Sequence, residues 1–295
     1  MRVLALAIVA WLIAAPVAAQ APVLTIESPP ELAAARARLD AVDLRPLVDI
    51  VGRVGLAAPG PPIRVVLAAE GSSWAEQVPP WTAGFATSDS GLIVLFPSRS
   101  PVYPLDTLED VLRHEVAHVL ISRAAGGRAV PRWFHEGLAV TVERGWGLED
   151  RSRLAWELML GPRLTLHEID DLFAGGQSAQ IRGYSLAPAV MRDLISEHGA
   201  TAPAAVLHHL ANGETFDEAI ASVAFRSVGA IEAEFWKRQR TWTLWVPMLT
   251  STTVVWLVVM GLAALAVRRR HVRAAEIRRR WASEEVEVES RDDVP

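Results

Sequence analysis

Apolar residues along this chain change their spacing near residue 105. Before it they come in short runs: Ile63-Arg64-Val65-Val66-Leu67 follows the turn signal Pro59-Gly60-Pro61-Pro62 and predicts a strand, and 84–87 with 91–96 predict a pair of strands around Ser88-Asp89-Ser90. After it the spacing is helical. Leu108, Val111, Leu112, Val116, Val119 and Leu120 form a broad apolar surface on a helix that Asp106 and Glu109 would cap and Gly126-Gly127 would close. Pro131 opens a second helix over 132–143. Beyond Gly147 the pattern predicts helices over 150–160, 166–173, 186–198, 203–211, 216–224 and 230–242, with Thr215 and Glu218 as another capping box. Upstream, the Pro-rich stretch 20–30 reads as an exposed leader, and 31–54 reads as one helix broken near Pro46. No internal repeat is evident. The expected fold class is α+β, with a small N-terminal β-sheet followed by a mostly helical domain.

Both ends of the chain are apolar in a different way. Residues 1–19 carry one early charge, Arg2, an apolar run from Val3 to Ile13 and the small-residue close Val17-Ala18-Ala19, the pattern of a secretory signal peptide. The segment 244–267 holds no ionisable residue and is flanked by Trp242 and Trp245 on one side and by Arg268-Arg269-Arg270, Arg273 and Arg278-Arg279-Arg280 on the other. That reads as one C-terminal transmembrane helix with a cytoplasmic tail over 268–295. The expected arrangement is a single-pass protein of the cytoplasmic membrane: a leader and helical segment over 20–62, then an extracytoplasmic domain over 63–243.

Composition narrows the chemistry further. The 295 residues contain no cysteine, so disulfides and thiolate-ligated metal are excluded. The formal net charge is −5, and Lys237 is the sole lysine, so nothing resembles a nucleic-acid footprint. No phosphate-binding glycine loop with its lysine is present, and Gly183-Tyr184-Ser185-Leu186-Ala187 misses the serine-hydrolase elbow at its last position.

What the predicted helix over the motif does carry is His114-Glu115-Val116-Ala117-His118, an H-E-x-x-H. One helical turn is about 3.6 residues, so the two imidazoles project from one face and can reach one zinc ion, while Glu115 beside them is placed as a general base. A catalytic zinc needs a third protein ligand and one open position. Glu136, eighteen positions after His118 on the next predicted helix, is the candidate, and Gly137 beside it would allow close helix approach. Its neighbour His135 is the rival ligand, although adjacent helical residues point about 100° apart.

The H-E-x-x-H together with Trp133-Phe134-His135-Glu136-Gly137-Leu138-Ala139 resembles the gluzincin peptidases, and in particular the bacterial peptidase MA-like domains distantly related to thermolysin and aminopeptidase N. The resemblance covers most of 63–242 and is weakest in its C-terminal half. There Tyr184-Ser185-Leu186-Ala187-Pro188-Ala189-Val190 with Leu194-Ile195 is similar to a family segment. It implies a zincin-like fold with one Zn2+ held by His114, His118 and Glu136, a water activated by Glu115, and Tyr184 as donor to the oxyanion. Arg182 and His135 are the other candidate donors. The implied activity is zinc-dependent hydrolysis of peptide bonds in a peptide or protein substrate. The rival is a silent peptidase-like zinc domain serving as a membrane-tethered binding or scaffold protein, and the intact Glu115 counts against it. His167, His198, His208, His209 and His271 have no partner spacing, and nothing in the sequence separates endopeptidase from exopeptidase.

Overall fold

The structure is a computed structural model, and it describes residues 20–87, 90–101, 103–250, 256–257, 259–271 and 273. One compact unit runs as far as Trp236, and a second begins at Lys237.

The first unit is built on a four-stranded sheet in the order β1-β2-β4-β3, from β1 (Leu24–Glu27), β2 (Ile63–Leu67), β3 (Gly84–Thr87) and β4 (Leu92–Leu95). β1, β2 and β4 are mutually parallel neighbours, and β3 adds to β4 antiparallel, pairing Gly84 with Leu95 and Thr87 with Leu92. The stretch 20–30, expected as an exposed leader, therefore contributes an edge strand. The pleat sends Ile63, Val65 and Leu67 into the main core and leaves Arg64 outside, where it pairs with Glu27 across β1 at 2.7 Å. Val94 and Phe96 turn to the opposite face, where with Ala68 and Ala75 they form a small separate cluster.

Ten helices surround or follow the sheet among the described residues. α1 (Ala33–Asp40) and α2 (Arg45–Arg53) replace the single broken helix expected over 31–54. The break falls at 41–44, and Pro46 sits in the first turn of α2, where a missing N–H is harmless. α3 (Leu108–Ala124) and α4 (Arg132–Glu143) carry the motif and the segment after it. The cap of α3 is Thr107 with Asp110, one residue later than expected. α5 (Leu148–Leu160) and α6 (Leu166–Leu172) lead to α7 (Gln177–His198), which starts nine positions before the predicted 186. α8 (Ala202–Ala211), α9 (Phe216–Ala224) and α10 (Val228–Thr250) complete the series.

α3 is the axis of the core. Val111, Leu112, Val116, Ala117, Val119, Leu120 and Ile121 on it are fully buried, and the helix packs on β3, β4, α2 and α4. Burying a side chain of this size is worth about 1.5–3 kcal/mol. The helix is thus held strongly enough to carry polar groups inward, each of which costs about 1–3 kcal/mol when left unpaired.

The expected C-terminal transmembrane helix is not supported: among the described residues no helix is long and apolar enough to cross a membrane. α10 is described as far as Thr250, and its first thirteen residues include Glu232, Glu234, Lys237, Arg238 and Arg240. Residues 251–255 and 258 of the expected span, the expected signal peptide over 1–19, and 272 and 274–295 of the expected tail lie outside the described residues.

Candidate metal centre

α3 and α4 meet so that three side chains converge. His114 and His118 stand one turn apart on α3, with their rings edge to face at 4.5 Å and their Nε2 atoms 3.1 Å apart. Glu136, in the first half of α4, brings Oε2 to 3.5 Å from His114 Nε2 and 3.4 Å from His118 Nε2. Glu136 Oε2 is buried without a hydrogen-bond partner. These three residues offer one ligand atom each within 4.8 Å of one another, and the group could hold a metal ion. Burial alone would raise the Glu136 carboxyl, but His118 and His114 outweigh it and hold it well below its usual value.

What brings Glu136 to this point is the next residue. A Cβ at Gly137 would lie 2.6 Å from Ala187 O and 2.9 Å from the Ala187 carbonyl carbon. α4 therefore lies directly on α7, a closer approach than any side chain permits. Gly137 serves the α4–α7 contact, while the α3–α4 contact is made by ordinary side chains. The free N-terminus of α4 has no capping side chain of its own, and Asp170 of α6 accepts from Trp133 N at 2.5 Å in its place.

Glu115 is 5% exposed. Burial pushes its carboxyl up to about 7, with His118 opposing and the Glu136 charge adding to the rise. It faces β3, since a Cβ at Gly84 would come within 3.2 Å of its Cγ. Tyr184, on α7, is half-buried: its ring is edge-on to His114 at 6.2 Å and to Phe173 at 5.2 Å. Burial, followed by the nearby charges of Glu136 and Glu115, raises the Tyr184 phenol well above its usual value, so it stays a donor.

The alternatives left open by the sequence are placed elsewhere. His135 is outside the convergent group; its ring stacks flat on that of His118 at 4.6 Å and 2°, and burial lowers it to about 3, as a neutral imidazole. Arg182 turns away to Glu157 at 2.9 Å. One residue escaped the sequence reading: Glu143, in the last turn of α4, has a side chain only 1% exposed. Its Oε2 lies 4.0 Å from His114 Nδ1, and both atoms are buried without a partner. Burial pushes this carboxyl up to about 7, against the pull of His114.

Two cavities open on the centre and share Glu115, Gly84 and Tyr184 in their walls. One is small, about 120 Å³, and lies toward Trp81, Leu105, Val111 and Ile181. The other, about 550 Å³, runs past His118 and Glu136 between β3 and the loop after α3. β3 is the edge of the sheet on this side, paired only with β4 among the described residues. The chain matches no protein-family model, no curated protein and no solved structure.

Proposed function

We propose that this protein is a zinc-dependent peptidase. The observation that carries the reading is the convergence of three potential ligand atoms, His114 Nε2, His118 Nε2 and Glu136 Oε2, at 3.1, 3.4 and 3.5 Å from one another. Ligand atoms about 2.0–2.2 Å from a common centre at tetrahedral angles stand about 3.3–3.6 Å apart, so two imidazoles and one carboxylate in this arrangement fit zinc with a position left for water or substrate. Zinc bound there would acidify a water and polarise a carbonyl.

The chain's own residues complete the chemistry. Glu115 sits between the two cavities and takes a proton from the attacking water. As the water oxygen bonds to the carbonyl carbon and the C–N bond breaks, the same proton passes from Glu115 to the departing amine. The Tyr184 hydroxyl donates to the oxygen on which negative charge develops. The open edge of β3 supports a peptide in particular, because an extended chain can add to it as a further strand and so present its carbonyl at the centre. A carboxyl driven up by burial and set beside a cluster of metal-ligand character is the environment of a general base.

Two variants test the reading. Glu115→Gln is expected to lower hydrolysis of a mixed peptide library by about 10²–10⁴-fold while zinc content stays at one equivalent. Glu136→Ala is expected to lower zinc content as measured by metal analysis. Full hydrolysis by the first variant, or unchanged zinc stoichiometry in the second, would refute the assignment of those roles.

A further inference from the structure

The two cavities flanking Glu115 differ in charge. Apart from the centre's own His114 and Glu115, the smaller is walled by uncharged residues, with Trp81, Leu105 and Ile181 at its apolar end. The larger, beyond its own Glu115, His118, His135 and Glu136, is lined by two further charged residues, Arg128 and Arg132, and both are cationic. Neither lies within 4.0 Å of a carboxylate among the described residues, whereas Arg99, Arg144 and Arg182 are each bound to one. Both side chains are exposed.

Arg132 occupies the first position of α4, where a positive side chain opposes the helix dipole. The nearby Asp170 is engaged by backbone N–H groups of Arg132 and Trp133, and the Arg132 guanidinium instead donates to Phe173 O at 3.3 Å across the cleft wall. Arg128 is presented by a turn that Gly126 and Gly127 make with φ of 64° and 74°. Two uncompensated guanidiniums on a concave wall, in a chain of net charge −5, focus positive potential into that cavity. Guanidinium also matches a carboxylate in a planar, two-bonded fashion that lysine cannot reproduce.

From this asymmetry we infer that the cleft selects a peptide bearing a carboxylate on the side of the scissile bond that enters the larger cavity, with an apolar side chain on the other side. The inference rests on the peptidase reading for its scissile bond, but the recognition it describes is separable from cleavage. The carboxylate has two sources, an internal Asp or Glu side chain and the free C-terminus of the chain. The first makes the protein an endopeptidase with acidic preference and the second a carboxypeptidase.

The test uses the full-length protein and four synthetic peptides that share an apolar residue: one with internal Glu and an amidated end, its Gln and Lys counterparts, and the Gln peptide with a free C-terminus. Wild type is expected to cleave the Glu peptide or the free-acid peptide at least about fivefold better in kcat/KM than the amidated Gln peptide, a gap that shrinks at high salt. In Arg128→Glu with Arg132→Glu the preference is expected to invert toward Lys, an outcome that a general loss of structure would not produce. Binding of the same peptides to Glu115→Gln, followed by fluorescence anisotropy, separates the two readings. Arg-dependent selective binding without cleavage by wild type would uphold the recognition and remove the peptidase. Equal binding of Glu, Gln, Lys and free-acid peptides, or an unchanged order in the double variant, would overturn the inference.

Discussion

Among the described residues, helical histidines face a glutamate in two contrasting places, and their surroundings differ. On α8 and the turn after it, His209 Nδ1 meets Glu214 Oε1 at 2.7 Å, with both side chains about one-third exposed and each satisfied by the other or by water. On α3 and α4, His114, His118 and Glu136 are more deeply enclosed, all three acceptors point inward, and His114 Nδ1, His118 Nδ1 and Glu136 Oε2 have no partner. The first arrangement is a surface hydrogen-bonded contact of the ordinary kind, worth about 0–1 kcal/mol. The second is several kcal/mol of unmet polar burial held in place by the packing of α3 and α4. Sequence distance also separates them: Glu214 is five residues from its histidine, while Glu136 comes from another helix, so its convergence depends on tertiary packing that Gly137 makes possible.

The largest effect should be seen on removing metal. If the inward acceptors bind zinc, free zinc at about 1,000 times Kd stabilises the fold by about 4 kcal/mol, read as the difference between melts with zinc and with chelator. His118→Ala is expected to abolish that difference, and a persisting zinc-dependent shift in the variant would place the metal elsewhere. Next in size is Glu143. A carboxylate behind the first histidine fixes its ring, and loss of such a partner costs about 10–100-fold in metal affinity. Glu143→Gln is therefore expected to weaken zinc binding in a competitive chelator titration by that factor, and an unchanged affinity would show that the 4.0 Å approach to His114 carries no such role.

These residues also show how far the sequence could be read. α4 begins and ends where Pro131 and the apolar period place it, because local pattern and tertiary packing agree there. The α3 cap moved from Asp106 to Thr107 because Asp106/Glu109 and Thr107/Asp110 offer the same chemistry at the same spacing, and only the chain's direction into the helix selects one. β1 escaped notice since Leu24–Glu27 is only four residues beside prolines, and its strand character comes from pairing with β2 some forty positions away. The first turns of α7 are polar and contain Gly183, where a Cβ would lie 2.9 Å from the Phe173 ring, a contact invisible to periodicity. The apolar run over 244–267 with its Trp and Arg flanks reads as a span, yet among the described residues no helix is long and apolar enough to cross a membrane. Glu143 lay within reach of the sequence: it stands seven residues after Glu136, two helical turns along one face.

Gly137→Ala probes the packing side of the comparison and leaves the acceptors untouched. In an open helix the change would stabilise by up to about 1 kcal/mol. Here the added carbon meets backbone atoms of Ala187, which cannot swing aside as a side chain would, so α4 and α7 must separate. Overpacking of this kind costs about 1–3 kcal/mol, and a net loss of about 1–2 kcal/mol in chemical denaturation is expected, together with weaker zinc binding as Glu136 is displaced. A variant as stable as wild type would mean that the α4–α7 contact does not set the position of Glu136.

His209→Ala should have the smallest effect, and it tests the other half of the comparison. The contact it removes is one-third exposed, so loss of at most about 1 kcal/mol is expected. Glu214 retains Ser222 Oγ, which donates to its Oε2 at 3.3 Å, and reaches water, so no buried charge is left unmatched. Zinc stoichiometry, affinity and the zinc-dependent melting shift should all equal those of wild type. A loss of several kcal/mol, or any change in metal content, would mean that exposure and mutual satisfaction do not distinguish a structural histidine–glutamate pair from a ligand set in this protein.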